Sequence, residues 1–426
     1  MNRLSLAASL ALLLPLAAGC ASDESLKPPA PPAVPSGGSM FQTYVSMGNS
    51  ITAGFQSAGI NDSTQKRSYA VLLAAAMGTQ FTYPTLNGRG CPPPFTNNAT
   101  QARVGGGTPT TCDLRISNGT PGNLAVPGAR AEELLNNFGV PVSTSNALTL
   151  LFLGGKTQVQ RMAEAKPTFV SLWIGNNDVL GSLTSFSNPG NPLFVTPLPI
   201  FQQEYDSLTD SIAAVGAKAI LIGVADVSSI PYASTGATYW CIKNAPACGP
   251  VPAAFPPTFT VNNNCAPALA IPTGKGDSTL VPWPIWIPKL EAALGGSAQD
   301  LDCSVDTLVV TAAEFANLRT AVAGYNAHIQ SVANAHNWAY WDPNPTLHAE
   351  LQTPLNPTGR IPAFPDLSAA LAGGSVLFGP LFTLDGVHPS ALTHRIVADS
   401  AAATINAAYA TSLPVPVCGT VTCPAP

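Results

Sequence analysis

Two stretches, Thr168–Ile174 (T-F-V-S-L-W-I) and Ala219–Val224 (A-I-L-I-G-V), are apolar almost from end to end and too short for typical helices. A strand with one wet face alternates apolar and polar residues. A short unbroken apolar run instead suits a strand buried on both faces, as in parallel sheets. Elsewhere the period changes. Ile200–Val215 sets Phe201, Tyr205, Leu208, Ile212 and Val215 at helical intervals, and Ala312–Asn337 reads as a longer helix. Parallel strands need a crossover connection, so this alternation predicts βαβ units in an α/β fold with helices on both sheet faces.

The remaining chain fits the same scheme. Gln42–Met47 reads as the first strand and Ser68–Met77 as its helix. Asn123–Val126 reads as a short strand running into Pro127-Gly128, then a helix from Ala129 to about Phe138. Leu148–Met162 is expected to continue helically, Trp338–Trp341 to be the last strand and Leu392–Tyr409 the closing helix. Irregular excursions lie near 87–122, 231–305 and 343–380. No repeat and no second core is apparent, so one domain over 41–412 with a tail over 413–426 is expected. The 42 Pro and 36 Gly accompany 46% hydrophobic residues, which marks a loop-rich globular protein rather than a disordered one. The excursion Pro231–Asp302 is long enough to serve function or form a small subdomain.

The N-terminus addresses the chain for export. Arg3 precedes the mostly apolar Leu4–Leu16, which is too short for a membrane span and ends in small residues. Leu16-Ala17-Ala18-Gly19-Cys20 resembles the lipobox of bacterial lipoproteins. The resemblance implies a signal peptide over 1–19 and lipid on Cys20; an ordinary secreted protein is the alternative. Residues 20–40 then form a Pro-rich tether. Ala21 after Cys20 leans toward the outer membrane by resemblance to sorted lipoproteins. A formal net charge of −5 with no basic run gives no footprint for nucleic acid.

Nine cysteines less Cys20 leave an even eight, which in an exported chain suggests disulfides. Joining sequence neighbours pairs Cys91 with Cys112, Cys241 with Cys248, Cys265 with Cys303 and Cys418 with Cys423. That is one of about 105 connectivities. No C-x-x-C pair occurs and no histidine stands at ligand spacing, so a metal centre is not expected.

Four short blocks fall at predicted strand ends or loops. Gly48-Asn49-Ser50 follows the first strand, and Gly128 follows Asn123–Val126. Gly175-Asn176-Asn177-Asp178 follows the third strand, and Asp385-Gly386-Val387-His388 precedes the closing helix. Ser, Gly, Asn and His in that order, with Asp-x-x-His last, resemble the SGNH/GDSL esterase and lipase family between Tyr44 and about Ala408. The resemblance implies a three-layer, doubly wound, mostly parallel flavodoxin-like sheet. It also implies an esterase or lipase working without a cofactor. The family's Gly-Asp-Ser is here Gly-Asn-Ser, and Asn49 is expected to keep a hydrogen-bonded turn.

The chemistry can be argued from the residues themselves. A serine hydroxyl needs an adjacent base to attack a carbonyl. His388 can take the Ser50 proton and return it to the leaving alcohol, while Asp385 orients the ring. The N–H groups of Ser50 and Gly128 and the Asn177 amide are the candidate oxyanion donors. Gly128 also reads as a turn glycine, and Asn177 or Asp178 as a helix cap. Among the other histidines, His328, His336 and His394 fall within helices and His348 lacks an acid three residues before it.

Phe186, Leu193, Phe194, Val195, Trp240, Trp283 and Trp286 either line an acyl site or pack the excursions onto the core. A carbohydrate acetylesterase and a non-catalytic surface-binding lipoprotein are the alternatives to an acyl esterase. The expected protein is a monomer whose partners are an ester substrate and, through Cys20, a membrane.

Overall fold

The computed structural model describes residues 36–86, 88–98, 100–113, 120–135, 147–244, 255–353, 356–366 and 377–419. Cys20 and the tether up to residue 35 lie outside them.

Four parallel strands form the central sheet in the order β1 (Tyr44–Gly48), β2 (Phe169–Trp173), β3 (Lys218–Ile222) and β8 (Ala339–Trp341). The segment 123–126 runs along the free edge of β1. The Leu124 N–H donates to the Ser46 carbonyl at 2.8 Å, and the Val126 N–H to the Gly48 carbonyl at 3.2 Å. This segment follows β1 in the chain but lies on the side of β1 away from β2. The spatial order is therefore the flavodoxin-like 2-1-3-4-5, and the chain changes direction between β1 and β2. Open α/β sheets place their ligands at that reversal, beyond the carboxyl ends of the strands.

Side-chain alternation divides the core. Phe169, Trp173, Ile220 and Ile222 face one layer, while Val170, Leu172, Ala219 and Leu221 face the other. On the first face pack α3 (Tyr69–Met77) and α13 (Ala391–Tyr409). On the second lie α4 (Ala131–Leu135), α6 (Gln158–Ala165), α8 (Leu198–Ala214) and α11 (Ala312–His336). Both faces are covered, which is why the strands read as unbroken apolar runs.

Several boundaries differ from the sequence reading. Leu148–Met162 is not one helix: α5 (Ala147–Leu153) and α6 are separated at Gly154-Gly155, both with positive φ. The helix after Gly128 begins at Ala131, and residues 136–140 lie outside the description. The excursion after β3 is more ordered than its composition suggests. It holds the antiparallel pair β4 (Ala233–Thr235) and β6 (Leu280–Pro282) and the parallel pair β5 (Phe259–Val261) and β7 (Gln299–Leu301). Helices α9 (Gly236–Asn244) and α10 (Trp283–Leu294) complete it. Short helices α1 (Ser50–Ala53), α2 (Asp62–Gln65), α7 (Asn177–Leu183) and α12 (Asn344–Ala349) follow β1, β2 and β8 closely in the chain.

Disulfides join Cys91 to Cys112 and Cys265 to Cys303, as sequence proximity suggested. Cys241 and Cys418 are also disulfide-bonded. Their expected partners, Cys248 and Cys423, lie outside the described residues.

Candidate active site

Ser50 is held by the end of β1. Gly48 is required there, because a Cβ at this position would stand 2.4 Å from the Trp173 carbonyl oxygen of the neighbouring strand. The buried Gln158 side chain from α6 clamps the Gly48 peptide groups. Its Oε1 accepts the Gly48 N–H at 2.9 Å, and its Nε2 donates to the Gly48 carbonyl at 2.8 Å. Asn49 then caps α1, its Oδ1 accepting the Ile51 N–H at 3.1 Å. The replacement for the family aspartate thus keeps the hydrogen-bonded turn. Ser50 opens the helix, where backbone N–H groups have no intrahelical acceptor.

The loop before α13 brings the far end of the chain to Ser50. Asp385 is surrounded by donors. Its Oδ1 accepts the N–H groups of Val387 and His388, each at 2.9 Å, and the Thr383 hydroxyl at 3.1 Å. Its Oδ2 accepts the Ala58 N–H at 2.6 Å and His388 Nδ1 at 2.8 Å. Burial pushes this carboxyl up, but the His388 charge and the hydrogen bonds outweigh it and hold the pKa at about 2. An ionised carboxylate can only accept, so the His388 proton sits on Nδ1 and Nε2 is left with a lone pair. That Nε2 lies 2.9 Å from Ser50 Oγ. The Phe55 ring, 4.8 Å away between centroids, flanks the imidazole. Ser50, His388 and Asp385 therefore meet in one hydrogen-bonded chain.

Residues 44–401 match the family described as GDSL-like lipase/acylhydrolase. The chain belongs to that family. It is an ester hydrolase by that membership, on an SGNH hydrolase fold. Among solved structures it is similar to a catalytic mutant of the acetylxylan esterase Axe2 from Geobacillus stearothermophilus. That match has 11% identity, 88% of this chain and 96% of the other covered, and a TM-score of 0.37. It is also similar to TesA (13% identity, 86% and 99% covered, TM-score 0.33) and to a putative SGNH hydrolase from Slackia heliotrinireducens (14% identity, 85% and 98% covered, TM-score 0.31). No curated protein matches the chain.

The third block of this GDSL-like hydrolase stands at the end of β2. Neither Asn177 nor Asp178 caps α7; the cap position is Asn176, whose side chain makes no capping bond. Asn177 Nδ2 donates to the Ala129 carbonyl at 2.9 Å, leaving a second amide proton free of that bond. Asp178 accepts the Ala131 N–H at 3.1 Å and the Thr196 hydroxyl at 2.9 Å, and burial raises its pKa to about 6. Adjacent side chains at 177 and 178 thus fasten the loop that follows Gly128. Gly128 itself is exposed with φ 86° and does not line the pocket at Ser50.

That pocket is mostly apolar. Ser50, Asn176, Asn177 and His388 stand among Trp173, Val227, Ile230, Trp341, Leu347, Ile361, Leu381 and Val387. None of the seven apolar residues considered for an acyl site lines it. Trp283 and Trp286 are buried in the excursion's core, and Phe186, Leu193 and Phe194 are exposed. The walls come instead from strand ends, from the segments 225–230, 343–350 and 381–397, and from Ile361. Gln158, Thr383 and Asn176 carry no sequence signal of their place at the site. Gln158 acts on a peptide group 110 positions away, and nothing local to it signals that. The other histidines are engaged elsewhere in two cases that bear on the site. His348 pairs with Asp226, and buried His394 accepts the Tyr69 N–H through Nδ1 at 3.2 Å. Among the described residues, no cluster of His, Cys, Asp or Glu could hold a metal ion.

Proposed function

We propose that the protein cleaves carboxylic esters through an acyl-enzyme on Ser50. The observation that carries this reading is the hydrogen-bonded series Ser50 Oγ, His388 Nε2, His388 Nδ1, Asp385 Oδ2 at 2.9 and 2.8 Å. His388 Nε2 takes the hydroxyl proton as Ser50 Oγ bonds to the carbonyl carbon. Collapse of the tetrahedral species breaks the bond to the alcohol oxygen, which leaves with that proton. Water then repeats the sequence, its proton passing to His388 and back to Ser50, and the acid is released. Asp385 stays ionised and stabilises the imidazolium formed in each half.

The oxyanion donors in this reading are the Ser50 N–H and the second Asn177 amide proton, which line the pocket, with the Gly128 N–H, outside that lining, as a third donor proposed from its place after the segment 123–126. Each such donor is typically worth about 3–4 kcal/mol of barrier. The apolar pocket beside Ser50 favours an acyl ester over an acetylated carbohydrate, whose hydroxyl-rich body it would leave without partners. The chain is proposed to be a monomer. Supported by the sequence Leu16–Cys20, it is further proposed to be exported and anchored through lipid on Cys20, in the outer membrane.

A fluorophosphonate probe should label the protein once, with the adduct mass on the peptide containing Ser50, and Ser50→Ala should abolish both labelling and hydrolysis. Undiminished hydrolysis by Ser50→Ala would overturn the assignment.

A further inference from the structure

Beyond the Ser50 site stands a second aspartate–histidine pair, and it is built into the wall of the same pocket. Helix α12 presents two faces. Pro343, Thr346, Leu347 and Glu350 line the pocket at Ser50, whereas Asn344 and His348, one turn apart, point to a polar cleft against α11. The chain leaving β3 divides in the same way. Ala225 and Val227 line the pocket, and Asp226 between them turns to the cleft.

The two segments are fastened on their polar sides. Asn344 Oδ1 accepts the Asp226 N–H at 2.6 Å, and Asn344 Nδ2 donates to the Val224 carbonyl at 3.0 Å. His348 Nε2 lies 3.0 Å from Asp226 Oδ2. Asp226 is 5% exposed and also accepts the hydroxyls of Ser228 and Ser229, at 2.5 and 3.1 Å. Burial alone would push its carboxyl up; the Ser228 and His348 hydrogen bonds outweigh that and hold it below the usual range. A buried, ionised carboxylate therefore sits behind an apolar wall and grips the helix that forms the facing part of that wall.

We propose that α12 is the specificity wall of the Ser50 pocket, that Asn344 and the His348–Asp226 pair latch it, and that the pocket so defined takes an apolar acyl chain. His348 and Asp226 are positioning residues here, with no contact to the reacting atoms. Released from Asp226, α12 keeps its own backbone bonds but loses its fixed distance from Ala225 and Val227. Apolar contact along the chain then weakens, while a two-carbon acyl group, which has little apolar surface to lose, is affected less. The proposal rests on the Ser50 reading.

Two arms separate them. In the first, hydrolysis of p-nitrophenyl acetate and octanoate is compared. His348→Ala should lower the octanoate-to-acetate ratio of kcat/KM by about 5-fold or more, mostly through KM, and His348→Gln, which restores a donor, should recover part of it. Equal losses on both esters, or an unchanged ratio, would overturn the latch. A dependence on the alcohol chain of acetate esters, with none on the acyl chain, would overturn the acyl assignment. In the second arm, calorimetry measures octanoate binding to Ser50→Ala protein, where no turnover is needed. Binding should weaken by a similar factor when His348→Ala is added; absence of octanoate binding would overturn the proposal even if esters are hydrolysed. Should wild type hydrolyse no ester yet Ser50→Ala bind octanoate through the latch, only the Ser50 reading fails. Asp226→Asn, nearly isosteric, serves both arms if His348→Ala does not fold.

Discussion

Gln158 and Gly48 are 110 positions apart, yet the Gln158 side chain both accepts the Gly48 N–H and donates to the Gly48 carbonyl, two residues before Ser50. An amide side chain is the one neutral group that can donate and accept at this spacing, so it completes the end of β1 much as another strand would. This anchor fixes where the Ser50 turn begins.

Gln158→Ala is expected to leave the buried Gly48 N–H unpaired and its carbonyl with the Val126 N–H alone, at a cost of about 2 kcal/mol. Urea unfolding of the variant should show that loss with an unchanged m-value, and kcat should fall because the turn carrying Ser50 is no longer held. Wild-type stability in Gln158→Ala would show that solvent replaces the side chain.

Gly48→Ala should be worse. Its Cβ would lie 2.4 Å from the Trp173 carbonyl and 2.5 Å from Thr52 Oγ1, and neither strand can yield without parting the β1–β2 pairing. A loss of about 3 kcal/mol or more is expected, read as a lowered melting temperature.

Asp385→Asn preserves shape but removes the charge that keeps the His388 proton on Nδ1. We expect kcat to fall about 10⁴-fold with KM little altered. A loss below tenfold would show that Ser50 and His388 suffice without an ionised partner.

Acid should expose the buried His394. Burial, with the His388 charge adding to it, lowers its pKa to about 3 from the ordinary 6.5. The folded state holds the ring neutral while the unfolded chain takes up a proton. Stability from this source is full above about pH 6.5 and is lost as pH falls toward 3, by up to about 1.4 kcal/mol per unit. Asp178, raised to about 6, and Glu204, raised by burial to about 7, act in the opposite sense, so the test is a difference. Against His394→Asn, wild type should lose stability between pH 6 and 4; parallel curves would refute the assignment.

The disulfides Cys91–Cys112 and Cys265–Cys303 close loops of 21 and 38 residues. Loop-closure entropy assigns them about 3 and about 4 kcal/mol. Replacing Cys265 and Cys303 together by alanine should shift the denaturant midpoint more than replacing Cys91 and Cys112. The reverse order would place the effect in native packing.

Strand runs such as Phe169–Trp173 were legible because burial on both faces demands continuous apolar sequence, and long helices such as Ala312–His336 because one buried stripe imposes a period. The four blocks were legible too, since strand ends and turns have strong local chemistry. The break at Gly154-Gly155 was readable but outweighed by the apolar stripe on either side. The order inside 231–305 was not, because its short strands draw their stability from packing rather than from a period of their own.

The chain alone determined which elements form, that they alternate, and that Ser50, Gly128, Asn177, Asp385 and His388 fall at their ends; these follow from backbone preference and side-chain period, which act over a few residues. Only the tertiary structure decided that Ser50 meets His388, that Gln158 finishes β1, and that the pocket walls come from the segment after β3 and from α12 rather than from Trp240, Trp283 and Trp286. Those are contacts across as many as 338 positions, set by how the layers pack, and no local pattern encodes them.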